Sequence, residues 1–196
     1  NKIKEILIGT NNEGKYNEIC ALLPKKIKKH SLSEFKIKSP KETGRSFKEN
    51  SFIKASYFSK KTNLICLSDD SGLEIDLLNN FPGIYSARWS GKKSNFDLAI
   101  KKVFKKMNKI KKNWDDKNKA KFVCCLTIFC PNGENFTSEG IVNGKICSQK
   151  KGKNGFGYDP IFIPNGYKKT FGQMDIELKM TIDHRFKAFR KIKNVY

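Results

Sequence analysis

Residues 9 to 16, Gly9-Thr10-Asn11-Asn12-Glu13-Gly14-Lys15-Tyr16, match the phosphate-cradling pattern GxxxxGK and then depart from it. In a P-loop the lysine is followed by Ser or Thr, whose hydroxyl ligates magnesium. Tyr16 stands there instead, so a metal serving this loop must be held elsewhere. Backbone N–H groups at a helix N-terminus, together with Lys15, suit a polyphosphate; the plain alternative is a glycine turn with a solvated lysine. Asp69 and Asp70, supported by Glu42 and Glu74, are the best candidates for the missing metal site. Mg2+ prefers oxygen ligands and takes one or two protein carboxylates while phosphates and water complete its shell. A carboxylate beside it can also accept a proton from an attacking water. The alternative is a pair of aspartates on a solvated turn.

Two further segments carry chemistry. Asn154-Gly155-Phe156-Gly157-Tyr158-Asp159-Pro160 is a second glycine-rich turn. Its aromatics could stack on a nucleobase or simply anchor the turn to the core. Asp183-His184-Arg185, with Lys179 nearby, gathers donors suited to carbonyl or phosphate oxygens, although a lone histidine is more often a cap or a satisfied core residue. A donor-lined pocket prefers a purine with a 6-oxo group to adenine, which offers an amino group there.

These residues need elements to place them. Ile3 to Ile8 reads as a strand and Tyr16 to Leu23 as a helix, which puts the first glycine loop in a strand-turn-helix setting. Pro24 to Pro40 reads as a short strand and loops, and Ser46 to Lys60 has apolar residues close to helical spacing. Leu64 to Leu67 reads as a short strand that discharges Asp69 and Asp70 into a glycine turn, the usual placement of a site at the carboxyl end of a sheet. Asn80 to Gly91 reads as turn, and Asn95 to Lys112 as an amphipathic helix. Ala120 to Cys130 and Asn135 to Cys147 are two β-rich runs joined at Pro131-Asn132-Gly133, a hairpin signal. From about Thr181, residues Ile182, Phe186, Phe189 and Ile192 lie on one helical face. The expected class is α/β with a mixed sheet.

The chain has 196 residues, 38% of them hydrophobic, enough for one packed domain or a domain with a smaller lobe. No stretch approaches the roughly 18 apolar residues of a membrane span, and the start lacks a secretory apolar core, so a soluble cytoplasmic protein is expected. A net charge of +21 ordinarily points to nucleic acid. Here only four arginines accompany 36 lysines, which are scattered through nearly every segment. Nucleic-acid readers rely on arginine's planar fork, so no stable nucleic-acid complex is expected. The positive field would still attract a small polyanion. The six cysteines show no CxxC pair and lie mostly in apolar runs, which favours free thiols in a reducing compartment over a zinc site.

Taken in order, "TNNEGKYNEI" (10–19), "ETGRSFKENSFIKA" (42–55), "LSDDSGLEIDLLNNFPGIYSARWSG" (67–91), "NGFGYDPIF" (154–162) and "DHRFKAF" (183–189) resemble the inosine triphosphate pyrophosphatase family over nearly the whole chain. The resemblance implies a single domain over 1–196, with an elongated mixed β-sheet flanked by helices and two lobes with the active site in the cleft between them, usually as a homodimer. It implies Mg2+-dependent hydrolysis of ITP, dITP and XTP to monophosphate and pyrophosphate. By motif, Thr10, Asn11, Asn12, Glu13, Gly14 and Lys15 would bind the phosphates, with Lys54 as a second neutralising lysine. Asp70 and Glu42 would bind the metal, and Asp70 would be the base, helped by Asp69. Ser71, Phe156, Gly157, Tyr158, Asp159, Lys179, His184 and Arg185 would hold the nucleoside, with Phe156 stacked on the base. The chain departs from the family pattern at Lys41, Gln173 and Asp183; a carboxylate beside His184 would favour the imidazolium. The competing readings are a P-loop ATPase or kinase, which Tyr16 disfavours, and a basic nucleic-acid-binding domain.

Overall fold

Ile6, Leu7 and Ile8 are fully buried, and with Glu5 they form strand β1 (Glu5–Ile8) at the interior of a seven-stranded sheet. The computed structural model describes residues 3–91, 94–112, 114 and 118–192. Helix α1 (Glu13–Leu22) follows β1, capped by Asn12, whose side chain accepts from the Lys15 N–H at 2.9 Å. The helix therefore begins three residues before the expected Tyr16. An Asn at the cap satisfies an orphan donor, and this draws Gly14 and Lys15 into the first turn.

Strand β2 (Lys28–Ser31) pairs parallel with β1, Leu7 opposite His30. Helix α2 (Phe47–Thr62) is capped by Ser46, which accepts from the Glu49 N–H, and it ends at the left-handed Asn63. Strand β3 (Cys66–Ile75) then pairs parallel with β1, Leu7 opposite Cys66.

The expected short strand ending in a glycine turn is corrected by β3, which runs ten residues straight through Asp69, Asp70, Ser71 and Gly72. Leu73 and Ile75, both fully buried, anchor the far end, while ion pairs satisfy the polar middle. Gly72 has no left-handed φ. A glycine inside a strand pattern mimics a turn signal, and here the buried apolar residues beyond it keep the strand going.

The two-residue strand β4 (Phe81–Pro82) pairs antiparallel with β3, and short 3-10 turns fill the rest of 76–90. Helix α3 (Phe96–Ile110) is capped by Asn95 and buries Ala99, Ile100, Val103 and Met107. Strands β5 (Lys119–Phe129) and β6 (Asn135–Ile146) are sheet neighbours. The side-chain pairs Thr127–Thr137 and Cys125–Glu139 step in opposite directions along the chain, the mark of an antiparallel hairpin. Strand β7 (Phe162–Pro164) completes the order β2-β1-β3-β5-β6-β7, with β4 on β3. The mixed parallel and antiparallel pairing is the α/β class the sequence implied.

The single helical face expected from Ile182 to Ile192 is also corrected. Helix α4 (Ile176–Ile182) and helix α5 (His184–Ile192) are separated by Asp183, whose extended ψ of 171° ends the first. Ile182 packs against one core, and Phe189 and Ile192 belong to another. The chain divides into two compact units: unit 1 is Asn1–Asp70, Cys124–Gly140 and His184–Tyr196, and unit 2 is Ser71–Val123 and Ile141–Asp183. The larger core of unit 1 is built on Ile6, Ile8, Ile19, Leu67, Leu126 and Phe189. That of unit 2 is built on Leu73, Ile75, Val103, Phe122, Phe162 and Phe171.

Candidate active site

Successive side chains of a strand point to opposite faces of the sheet, so Asp69 and Asp70, adjacent in β3, meet different partners. Asp69 is fully buried. Its Oδ1 lies 3.3 Å from Lys15 Nζ, and its Oδ2 accepts from Arg185 NH2 at 3.0 Å. The opposite fork of Arg185 grips Glu18 of α1. Arg185 is only 1% exposed, so it needs both carboxylates to replace the water it has lost. The first turn of α1, the middle of β3 and the start of α5 are thus tied together by one run of charges.

Asp70 faces Lys54 of α2 instead. Lys54 Nζ stands 2.6 Å from Glu42 Oε1 and donates to Asp70 Oδ1 at 3.4 Å. Asp70 is 5% exposed, and its Oδ2 has no hydrogen-bond partner.

The two aspartates titrate in opposite directions. Burial alone would raise the Asp69 carboxyl, but Lys15, Arg185 and Lys54 outweigh it and hold the group well below the usual carboxylate range. For Asp70 burial wins: Lys54 and Lys15 oppose it, Glu42 and Asp69 reinforce it, and the carboxyl is raised. Adjacent carboxyls pushed apart in this way are suited to different tasks, a fixed anion and a proton acceptor. Lys54 is held charged by Asp70, Asp69 and Glu42 against its own burial.

The glycine loop is shaped by β3. Ser68 Oγ donates to the Gly9 carbonyl at 3.1 Å, and a Cβ on Gly9 would meet that oxygen at 2.0 Å, so only glycine fits. Thr10 Oγ1 accepts from the Asn12 N–H at 3.2 Å, Asn11 donates to Ser39, and Glu13 faces solvent.

In unit 2, Lys179 of α4 is 2% exposed and donates to Asp159 Oδ2 at 2.7 Å. The same oxygen accepts from the Phe156 N–H at 2.9 Å. Lys179 Nζ also lies 5.0 Å from the centroid of the half-buried Phe156 ring. Gly155 and Gly157, at φ 71° and 67°, let the turn fold back over Asp159. Tyr158 is 2% exposed, packs on Phe96 and donates through its hydroxyl to the Ser86 carbonyl at 2.9 Å. Its side chain is committed to the core, which leaves only its backbone for a ligand.

The structure therefore gathers Lys15, Glu42, Lys54, Asp69, Asp70 and Arg185 in unit 1, with His184 buried beside Arg185 at the start of α5. Ser71 lies on β3 and, with Phe156 to Asp159 and Lys179, belongs to unit 2. Glu74 pairs with Lys121 at 3.1 Å, so its carboxylate is taken up there. Sequence reasoning missed Glu18. The available signal was a carboxylate on α1 directly before the buried Ile19, on the helix face that also presents Lys15.

Lysines and carboxylates set at the mouth of a short glycine loop are the machinery of a protein that handles phosphate anions. The chain belongs to the Ham1 family, whose model matches residues 6–195. It is 38% identical over 195 residues to the dITP/XTP pyrophosphatase of Bacillus cereus, covering 97% of this chain and 94% of that one. It is 41% identical over 193 residues to that of Bacillus licheniformis, covering 97% and 96%. A HAM1 protein from Coxiella burnetii superposes with a TM-score of 0.87 at 35% identity over 98% of each chain. The Staphylococcus aureus Ham1 protein does so with a TM-score of 0.83 at 37% identity, over 98% of this chain and 97% of that one.

Proposed function

We propose that this chain hydrolyses the non-standard purine nucleoside triphosphates ITP, dITP and XTP to nucleoside monophosphate and pyrophosphate, clearing deaminated purines from the nucleotide pool. The observation that carries the reading is the geometry of one cluster beside the glycine loop, with Asp69 held by Lys15 and Arg185, and Asp70 and Glu42 by Lys54. Relatives that bear the name dITP/XTP pyrophosphatase support it.

Lys15 and the N–H groups of the first turn of α1 receive the phosphate oxygens, with Thr10 to Gly14 shaping the loop. Asp69 stays ionised and keeps Lys15 and Arg185 oriented. Asp70, whose Oδ2 has no hydrogen-bond partner, takes the proton from the attacking water. Water adds to the α phosphorus, the bond from that phosphorus to the α–β bridging oxygen breaks, and pyrophosphate leaves with that oxygen.

Mg2+ fits the residues present. Glu42 and Asp70 offer hard oxygen donors, Asp70 Oδ2 lacks a hydrogen-bond partner, and substrate phosphates and water can supply the other ligands. Among the described residues no group of three or more His, Cys, Asp or Glu side chains forms a cage, in keeping with a metal held largely by substrate. Bound there, the metal would supply neutralisation of charge on the phosphate oxygens.

Ser71, Phe156, Gly157, Tyr158, Asp159, Lys179, His184 and Arg185 hold the nucleoside in this reading. Phe156 stacks on the base, and donors on this side favour the acceptor of a 6-oxo purine over the amino group of adenine. The whole chain acts as one domain of this type, as a homodimer in the cytoplasm. Six free cysteines suit a reducing compartment, and light scattering at twice the 22.5 kDa chain mass checks the dimer.

A pyrophosphate-release panel with Mg2+ and ITP, XTP, dITP, GTP and ATP tests the reading. Pyrophosphate from the first three, with little turnover of ATP, is expected. Orthophosphate as the product, or ATP as the best substrate, overturns it.

A further inference from the structure

The Lys54 ammonium reaches both carboxylates of the proposed metal site, Glu42 Oε1 at 2.6 Å and Asp70 Oδ1 at 3.4 Å. The Lys54 ammonium thus holds one oxygen of each carboxylate, so a cation entering between Glu42 and Asp70 would compete with it for the same charge and space. Lys54 is buried at 8% exposure, and its ammonium stands within ion-pair distance of both carboxylates. It is therefore a full positive charge at the point where a cation would have to enter, and Asp70 Oδ2 is the only oxygen of that carboxylate left without a hydrogen bond.

We infer that Lys54 is an internal stand-in for the divalent cation, closing the metal site to free metal until a nucleotide arrives. The inference rests on the reading that Glu42 and Asp70 are the metal ligands. The four-carbon stem of Lys54 lets the ammonium exchange carboxylate oxygens for phosphate oxygens of the incoming substrate. The triphosphate brings both the negative charge that draws Lys54 away and the oxygens that complete the metal's shell. The substrate is thus the metal–nucleotide complex, and the residue that neutralises a phosphate in the loaded site neutralises Glu42 and Asp70 in the empty one. A charged side chain in the gap spares the buried Asp70 and the half-buried Glu42 from facing each other unpaired.

The test is titration of Mn2+ alone into nucleotide-free protein, read by the loss of the free-ion electron paramagnetic resonance signal; Mn2+ takes the same hard oxygen ligands. Lys54→Met, or Lys54→Gln should Met not fold, removes the ammonium while keeping a chain of similar length, and thermal unfolding checks each variant. At least tenfold tighter Mn2+ binding than wild type is expected, with Lys54→Arg binding as weakly as wild type. Adding Asp70→Asn to the Lys54→Met protein should return binding to the wild-type level. If wild type binds Mn2+ as tightly as Lys54→Met, and Asp70→Asn weakens both, Lys54 is no stand-in but the ligand set stands. If the tight binding of Lys54→Met survives Asp70→Asn, the ligand set itself is wrong. No binding in any variant overturns the inference; the ligand set is then judged separately, by whether Asp70→Asn abolishes Mg2+-dependent pyrophosphate release.

Discussion

Asp69 and Asp70 share a strand and a residue type but not a function, and substitution should separate them. Asp70→Asn removes the proton acceptor and a ligand oxygen, so turnover should fall by a factor of about 10²–10⁴. Stability should be kept or slightly raised, because burial disfavours the ionised Asp70. Asp69→Asn instead leaves Lys15 and Arg185 short of a buried counter-charge, and should cost about 3–5 kcal/mol of stability. Chemical denaturation and steady-state pyrophosphate release on both variants decide the matter: equal stability losses would deny the contrast. The pair was legible as two carboxylates near a phosphate loop. Their division of labour was not, because it depends on which cations lie on each face of β3, and Glu18, which completes the Arg185 grip, carries no motif.

At the scale of elements, the strands and helices with strong periodicity matched the sequence reading, and the departures have local causes. β3 looked like strand-then-turn because its polar middle is satisfied by side chains from α1, α2 and α5, which a linear pattern does not reveal. The α4–α5 break looked continuous because Ile182 and Phe189 keep helical spacing although they serve different cores. The parallel β1–β2 edge holds a pH-dependent contact that no motif announced. His30 Nδ1 lies 2.8 Å from Glu34 and its Nε2 2.9 Å from Glu5. A neutral imidazole has one donor and cannot serve both carboxylates, so Glu34 and Glu5 raise the His30 pKa above its ordinary 6.5, against the opposing effects of burial and Lys28. A pKa raised on folding stabilises fully below the unfolded value and is lost as pH climbs through the folded one. The melting temperature of wild type minus that of His30→Gln should therefore be largest near pH 6 and shrink towards pH 9. A difference that is flat, or grows with pH, rules the contact out as a titrating one.

For the whole molecule, burial ranks the six thiols that the sequence places mostly in apolar runs. Cys66, Cys124, Cys125 and Cys147 are buried, while Cys20 and Cys130 are half-buried. Burial pushes the Cys66 and Cys125 thiols up to about 12, so little thiolate is present at neutral pH. Labelling with a disulfide reagent should modify at most two of the six thiols in the native protein and all of them after denaturation; early labelling of Cys66 or Cys124 would contradict the packing. The partition into two units was not legible, because it follows contacts and not chain order. Each unit is threaded from separate stretches, and the chain passes from one to the other inside β3, directly after Asp70. Arg185 lies 116 residues beyond the Asp69 it neutralises. During synthesis, β3 leaves the ribosome long before Arg185 does, with Lys15 and Lys54 already made. A polypeptide released early would carry a carboxylate on a buried strand with no guanidinium to meet it. The charge cluster around Asp69 is therefore complete only once the chain has been made as far as the start of α5.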